Sequence, residues 1–378
     1  MRYEKAVAAF GINMILLGAS CTAVQGAERI AGLTDSHRME LEYAQQFTVD
    51  YYEDDYALIT IAEDAQRFLV VPEGRSVPEN LSEGIAVLQQ PLENIYLVAT
   101  SAMDLFRAID GIGSIRLSGT DVDGWYIEEA KAAMESGDML YAGKYNAPDY
   151  ERILANKCDI AVESTMIYHT PEVKEKLESF GIPVLAERSS YESHPLGRTE
   201  WMKLYAVLLD KEEEAQRFFE AQQEALEEVL GQENTGKTVA FFYISSNGYV
   251  NVRKSGDYVP KMIELAGGEY IFSDLGDEEN ALSTMNMQME DFYAGAKDAD
   301  YLIYNSSIDA ELHSLDELLD KNPLLADFKA VKEGNVWCTQ KNLFQETTGL
   351  PALITDMHRM LICEDPSLKE LTYMNRLE

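Results

Sequence analysis

Tyr191-Glu-Ser-His-Pro-Leu-Gly-Arg-Thr-Glu-Trp201 leads into a long acidic run that decides how this chain is built. The run opens at Asp210, with Glu213 three residues on, the spacing of a helix capping box. Ala215, Phe218, Phe219, Ala225, Leu226, Val229 and Leu230 then recur at helical spacing. A helix of about twenty residues spans roughly 30 Å. Such a rod in mid-chain, with an α/β rhythm on either side, predicts two lobes joined by a stiff helix. Between them lies a cleft whose closure on binding is expected to be modest.

Working outward, the flanks divide into 22–39 as a spacer, 40–209 as an N-terminal lobe, 210–231 as the linking helix and 232–378 as a C-terminal lobe. Phe47–Tyr52, Tyr56–Ile61 and Phe68–Val71 are β-rich runs separated by acidic turns, which predicts an antiparallel β-meander. From Asn94 strand-like runs alternate with helical ones: Ile95–Val98, Ile115–Leu117, Asp159–Val162 and Ile182–Ala186 are the strands. The plan repeats after the linking helix with Val239–Ile244, Tyr301–Tyr304 and Val336–Cys338. This alternation predicts parallel sheets covered by helices, that is, two Rossmann-like lobes.

The chain of 378 residues carries 66 acidic against 31 basic side chains, a net charge of −35. Nothing here would neutralise a phosphate backbone, so nucleic acid is excluded as a partner. The N-terminus is weakly basic, turns apolar from Ala6 to Leu17, and then reads Gly18-Ala-Ser-Cys21. This pattern predicts an export signal over 1–21. Its cysteine after small residues is similar to a bacterial lipoprotein signal, which implies lipidation of Cys21. Asn13 interrupts the apolar stretch and Gly18 stands where that signal usually has leucine. No other stretch approaches membrane-spanning length. Cys158, Cys338 and Cys363 are too widely spaced to form a disulfide framework, and free thiols are expected.

Gly231-Gln-Glu-Asn-Thr-Gly-Lys-Thr238 matches a phosphate-loop pattern, but it follows a helix and leads into a strand. The phosphate loop needs the opposite order, so this is a helix stop followed by a turn. The five histidines show no ligand spacing, so no metal site and no resident cofactor are expected.

Ordered short motifs place the chain beside a known family. Gly143-Lys-Tyr-Asn-Ala-Pro-Asp-Tyr-Glu151 precedes Asp159–Val162, then come Gly181-Ile-Pro-Val184, Pro195-Leu-Gly197 and Lys211-Glu-Glu-Glu-Ala215. Leu265-Ala-Gly-Gly268, Met285-Asn-Met-Gln-Met-Glu290 and Val331-Lys-Glu-Gly-Asn-Val-Trp337 follow in the second half. The chain resembles the cobalamin/iron-siderophore/haem class of ABC-importer substrate-binding proteins over roughly 94–361. The resemblance implies a monomeric, non-catalytic protein that binds a metal chelate and meets a permease dimer through one glutamate per lobe. Glu151 and Glu290 occupy the matching positions.

In open α/β sheets, ligands sit beyond the carboxyl ends of the strands. Candidate ligand residues there are Ser101, Met103, Trp125, Lys144, Tyr145, Ser164, Arg188 and Tyr191 in the first half, and Tyr243, Tyr249, Arg253 and Phe344 in the second. Arginine forks suit carboxylate-like groups and aromatic rings suit flat or chelated ligands. His194 is read as a hydrogen-bonded turn residue in preference to an iron ligand. Rival readings are an extracellular metal-dependent enzyme of related two-lobed fold, which needs a ligand cluster the sequence lacks, and a cell-surface interaction module.

Overall fold

The computed structural model describes residues 29–62, 65–276, 284–363, 365 and 367–378. The signal segment, with Cys21, and the first part of the spacer lie outside the described residues. The rest of the spacer contributes β1 (Asp35–Arg38), which pairs antiparallel with β2 (Phe47–Tyr52). β3 (Ala57–Ile61) and β4 (Gln66–Val71) continue antiparallel, while β5 (Ile85–Gln89) joins β4 in parallel. Period-2 alternation gives this sheet two apolar faces. Phe47, Val49, Ile59, Ile61 and Phe68 join the main core, and Tyr52, Leu58, Leu69 and Val71 pack beneath Ile30.

The first lobe runs β6 (Ile95–Leu97), α1 (Ala102–Ala108), β7 (Ile115–Ser118), α2 (Glu128–Ser136) and β8 (Leu140–Tyr141). A hairpin of β9 (Gly143–Lys144) and β10 (Ala147–Pro148) precedes α3 (Tyr150–Ala155), β11 (Ile160–Ser164), α4 (Pro171–Ser179) and β12 (Val184–Glu187). The sheet order is β12-β11-β6-β7-β8, parallel throughout. Gly143 has a φ of 88° in the hairpin, and a Cβ there would meet the Ala147 carbonyl at 2.3 Å, so only glycine fits.

Three helices then follow: α5 (Pro195–Glu200), α6 (Met202–Leu209) and α7 (Glu212–Leu230). Asp210 does not cap α7. It adopts a left-handed conformation, φ 57°, and closes α6 instead, while Lys211 precedes α7 without a side-chain cap. A turn this tight between helices needs a residue that tolerates the left-handed region, and a short acidic side chain supplies it. α7 buries Ala215, Phe219, Leu226 and Val229. It packs on α6 from the first half and on α12 (Leu350–Ile362) from the second, so it is a wedge between the lobes more than a free rod.

The second lobe centres on β13 (Thr238–Ile244), β17 (Tyr301–Tyr304) and β18 (Val336–Thr339), mutually parallel. β14 (Val250–Arg253) and β16 (Thr284–Met287) extend one side antiparallel, and β19 (Met374–Arg376) closes the other. β15 (Glu269–Tyr270) pairs with the start of β13. α8 (Tyr258–Leu265), α9 (Met289–Ala296), α10 (Leu315–Lys321) and α11 (Lys329–Glu333) complete it before α12. The phosphate-loop look-alike is a turn, in which Asn234 Oδ1 accepts from the Gly236 amide at 2.7 Å before β13 begins.

Candidate functional site

The carboxyl ends of β12, β17 and β18 converge where the two lobes meet. A cavity of about 280 Å³ lies there, with Ser190 and Arg198 from the first half and Phe241, Arg253, Tyr258, Asn305 and Phe344 from the second among its walls. The Arg253 guanidinium pairs with Asp257 at 3.3 Å and lies 6.0 Å from the Tyr258 ring centroid. Burial works most strongly against its charge, but Asp257, Tyr258 and Tyr270 together outweigh it, so its pKa lies above the ordinary value. The Arg198 guanidinium stands 4.1 Å from the same ring. One tyrosine ring therefore has two cations near it, one from each lobe.

Arg198 is 8% exposed, and its Nε has no hydrogen-bond partner. A buried cationic donor left open is costly unless something fills it. Glu187, at the end of β12, carries the nearby negative charge. Burial pushes its carboxyl above the usual pKa, and the Ser189 amide at 2.7 Å and the Arg198 charge pull it part of the way back. Sequence reasoning missed Arg198, which sits within α5 and not directly at a strand end.

Of the expected ligand residues, Arg253 and Phe344 line the cavity. Phe344 meets the Tyr126 ring edge-on at 6.0 Å across the interface. Tyr249 is exposed in the β13–β14 turn, and Ile308, at 67% exposure, follows β17. Met103 and Trp125 do not line this cavity. Met103 is fully buried in the core, and Trp125 is buried with its Nε1 donating to Ser118 Oγ at 3.3 Å. Arg188 does not line the cavity either: its Nε donates to Gln46 Oε1 at 3.2 Å, and its guanidinium lies on Tyr191, 4.1 Å from the centroid. Lys144 is exposed and Tyr145 half-buried in the β9–β10 hairpin region. Ser101 accepts Thr347 Oγ1 on its carbonyl at 2.9 Å, Ser164 Oγ accepts from the Met166 amide at 3.4 Å, and Tyr243 is half-buried beside the second core.

The lobes are also tied beside the cavity. Gln345 spans the gap, donating to the Gly124 carbonyl and accepting from the Tyr126 amide, both at 2.7 Å. Buried Asp104 accepts from the Thr348 amide at 2.7 Å and from its hydroxyl at 2.6 Å.

A larger hollow, about 620 Å³, includes Asn234, Thr238, Lys261 and His194. It lies at the amino-terminal end of β13, the wrong end for a ligand in this architecture. His194 Nδ1 accepts from the Leu196 amide at 3.2 Å and its ring stacks on Tyr43 at 4.4 Å. Burial first, then Lys261, pushes its pKa down to about 4. It is the turn residue expected. Among the described residues, no group of three or more His, Cys, Asp or Glu side chains is placed to hold a metal ion. Cys158, Cys338 and Cys363 are free, and burial pushes the Cys158 and Cys338 thiols up to about 12.

Residues 115–343 match the family model described as periplasmic binding protein, more than half of the chain. The chain belongs to the periplasmic binding protein family. This periplasmic binding protein is 28% identical over 334 residues to the uncharacterised lipoprotein MJ0878 of Methanocaldococcus jannaschii, covering 81% of this chain and 77% of the relative. Its fold is similar to that of a periplasmic haem-binding protein from Pseudomonas aeruginosa, with a TM-score of 0.59 at 16% identity, covering 76% of this chain and 98% of the other. An ABC-type Fe3+-hydroxamate transport protein from Saccharomonospora viridis matches with a TM-score of 0.55 at 16% identity, covering 72% and 94%. The family is one of solute-binding proteins and not of enzymes, which sets aside the metal-dependent enzyme reading. Among the described residues no helix is long and apolar enough to cross a membrane.

Proposed function

We propose that this protein captures a small anionic metal chelate, of the iron-siderophore, haem or cobalamin kind, in the interlobe cleft and delivers it to an ABC permease. The observation that carries this reading is that Arg198 and Arg253, one from each lobe, both lie near the Tyr258 ring, at 4.1 and 6.0 Å from its centroid, within a cavity shared by both lobes. In a chain with a net charge of −35, two cations gathered in one cleft select a ligand with oxyanion groups. Tyr126, Phe344 and Ile308 supply the apolar surface a flat or chelated ligand needs. The haem and ferric-hydroxamate proteins of like fold support the chelate class.

Export through 1–21 and lipidation at Cys21 would hold the protein on the outer face of the cytoplasmic membrane, as a monomer, and the lipoprotein relative supports this. Cys21→Ala then releases the protein from the membrane fraction, and retention there would remove the anchor. The test of the ligand is native mass spectrometry of protein purified from its own cells, followed by titration with haemin and ferric hydroxamates. A bound chelate with iron or cobalt is expected. A neutral sugar or peptide in the cleft would overturn the reading.

A further inference from the structure

Five consecutive backbone amides, from residues 42 to 46, all end on two carboxylates. Glu200 accepts from Glu42 at 3.0 Å, Tyr43 at 2.9 Å and Ala44 at 2.8 Å. Glu192 accepts from Gln45 and Gln46, both at 2.9 Å. Both carboxylates are buried, at 0% and 2% exposure. They bracket α5, the helix that carries Arg198. Glu192 also takes Trp201 Nε1 at 2.8 Å, and Glu200 takes Lys203 Nζ at 2.9 Å. The same lead-in touches α5 directly: a Cβ on Gly197 would sit 3.0 Å from the Tyr43 carbonyl, and Phe47 meets Trp201 edge-on at 5.0 Å.

A six-residue helix has almost no stability of its own, so outside contacts set its position. We propose that Glu192 and Glu200 are positioning residues for the cleft, and that the N-terminal sheet acts through them to hold Arg198 against Tyr258. This rests on the cleft reading above for its consequence, but not for its geometry. The N-terminal sheet lies outside the residues matched by the family model. The chemistry of this clasp is specific. A carboxylate offers acceptors on both oxygens, whereas a glutamine would point an NH2 at backbone donors and leave them unmet.

The test uses the full mature chain. Glu192→Gln, Glu200→Gln and Gly197→Ala are compared with wild type by NMR of the Arg198 Nε–H without ligand and by haemin titration. Asp356→Asn, which loosens the Tyr373 amide bond at 2.6 Å in the other lobe, is the control for general destabilisation. The expected result is a shifted, faster-exchanging Arg198 signal in the three clasp variants and not in the control. Haemin affinity should fall roughly 3- to 10-fold in those variants, a loss that vanishes in an Arg198→Met background. Gly197→Ala decides the matter if the glutamine variants do not fold. An unmoved Arg198 signal, or an equal shift in Asp356→Asn, overturns the clasp. If the signal moves while wild type binds no haemin, the clasp stands and it is the haem reading of the cleft that fails.

Discussion

Arg198 and Tyr258 face each other across the lobe boundary, guanidinium carbon to ring centroid 4.1 Å, with the arginine Nε unpartnered. An aromatic face favours a cation but accepts no N–H fork, so the pair is incomplete as a stabilising contact. The open donor is the sign of a group kept for something outside the chain. Arg198→Met should therefore weaken binding of the native chelate about 10- to 100-fold, in line with about 1.5–3 kcal/mol for hydrogen bonds to charged groups. The same change should leave thermal stability equal or higher, because a buried charge with little pairing is removed. Calorimetric titration and a melting curve on one sample check both. A lower melting temperature with unchanged affinity would make Arg198 a structural residue.

Gln345 joins the lobes by two hydrogen bonds, to Gly124 and Tyr126. Gln345→Ala should cost about 1–3 kcal/mol in unfolding by urea. Exchange at the Tyr126 amide should quicken while β13 and β17 stay protected. An unchanged Tyr126 amide would mean that the other contacts between the lobes, the Asp104–Thr348 bonds among them, hold this region without Gln345.

Glu163 sits on β11, fully buried, with neither carboxylate oxygen hydrogen-bonded. Burial raises its pKa from 4.5 to about 8, so the carboxyl is protonated in the fold at neutral pH. In the unfolded chain it ionises near 4.5. Between these values the unfolded state binds fewer protons, and stability falls as pH rises, by about 1.4 kcal/mol per unit from this group. Its contribution is complete below pH 4.5 and lost by about pH 8. Glu163→Gln should match wild type at pH 4.5 and exceed it at pH 8. Urea titrations of both proteins across that window check the difference, and parallel curves would show that Glu163 is already ionised.

How far the sequence is readable depends on whether local or distant contacts place a group. β13 and β17 announce themselves through continuous aromatic and β-branched runs, because strands covered on both faces need them. α6 is buried almost all round, so Met202–Leu209 lacks the polar face that marks a helix. β14, β16 and β19 are short, and only their partners make them strands. Arg188 and Arg198, two arginines of the first lobe, show the limit best. Arg188 directly follows β12, where a ligand residue belongs, yet its Nε bonds Gln46, in the connection leading into β2, and it does not line the cavity. Arg198, ten residues on, lines the cavity from α5, whose flanking Glu192 and Glu200 accept the amides of 42–46, just before β2. No local pattern distinguishes the two.

Glu151 and Glu290 are the remaining pair, and their placement is alike in both halves. Each is exposed in the first turn of its helix, Glu151 in α3 and Glu290 in α9. Each of these helices leads into a central parallel strand, β11 or β17. An acid in a first helical turn gains about 0.3–1 kcal/mol from the helix dipole, which is reason enough for either one alone. Matching placement in both lobes is what a two-fold permease surface with two basic patches would need. Rim charges of this kind govern association rate and partner choice more than they govern a distant pocket. The double variant Glu151→Ala with Glu290→Ala should fold normally and bind its chelate with unchanged affinity. Uptake in whole cells should be lost, and each single variant should lie between. Normal uptake by the double variant would remove the docking role. A loss of affinity in step with the loss of uptake would return both residues to the ligand site.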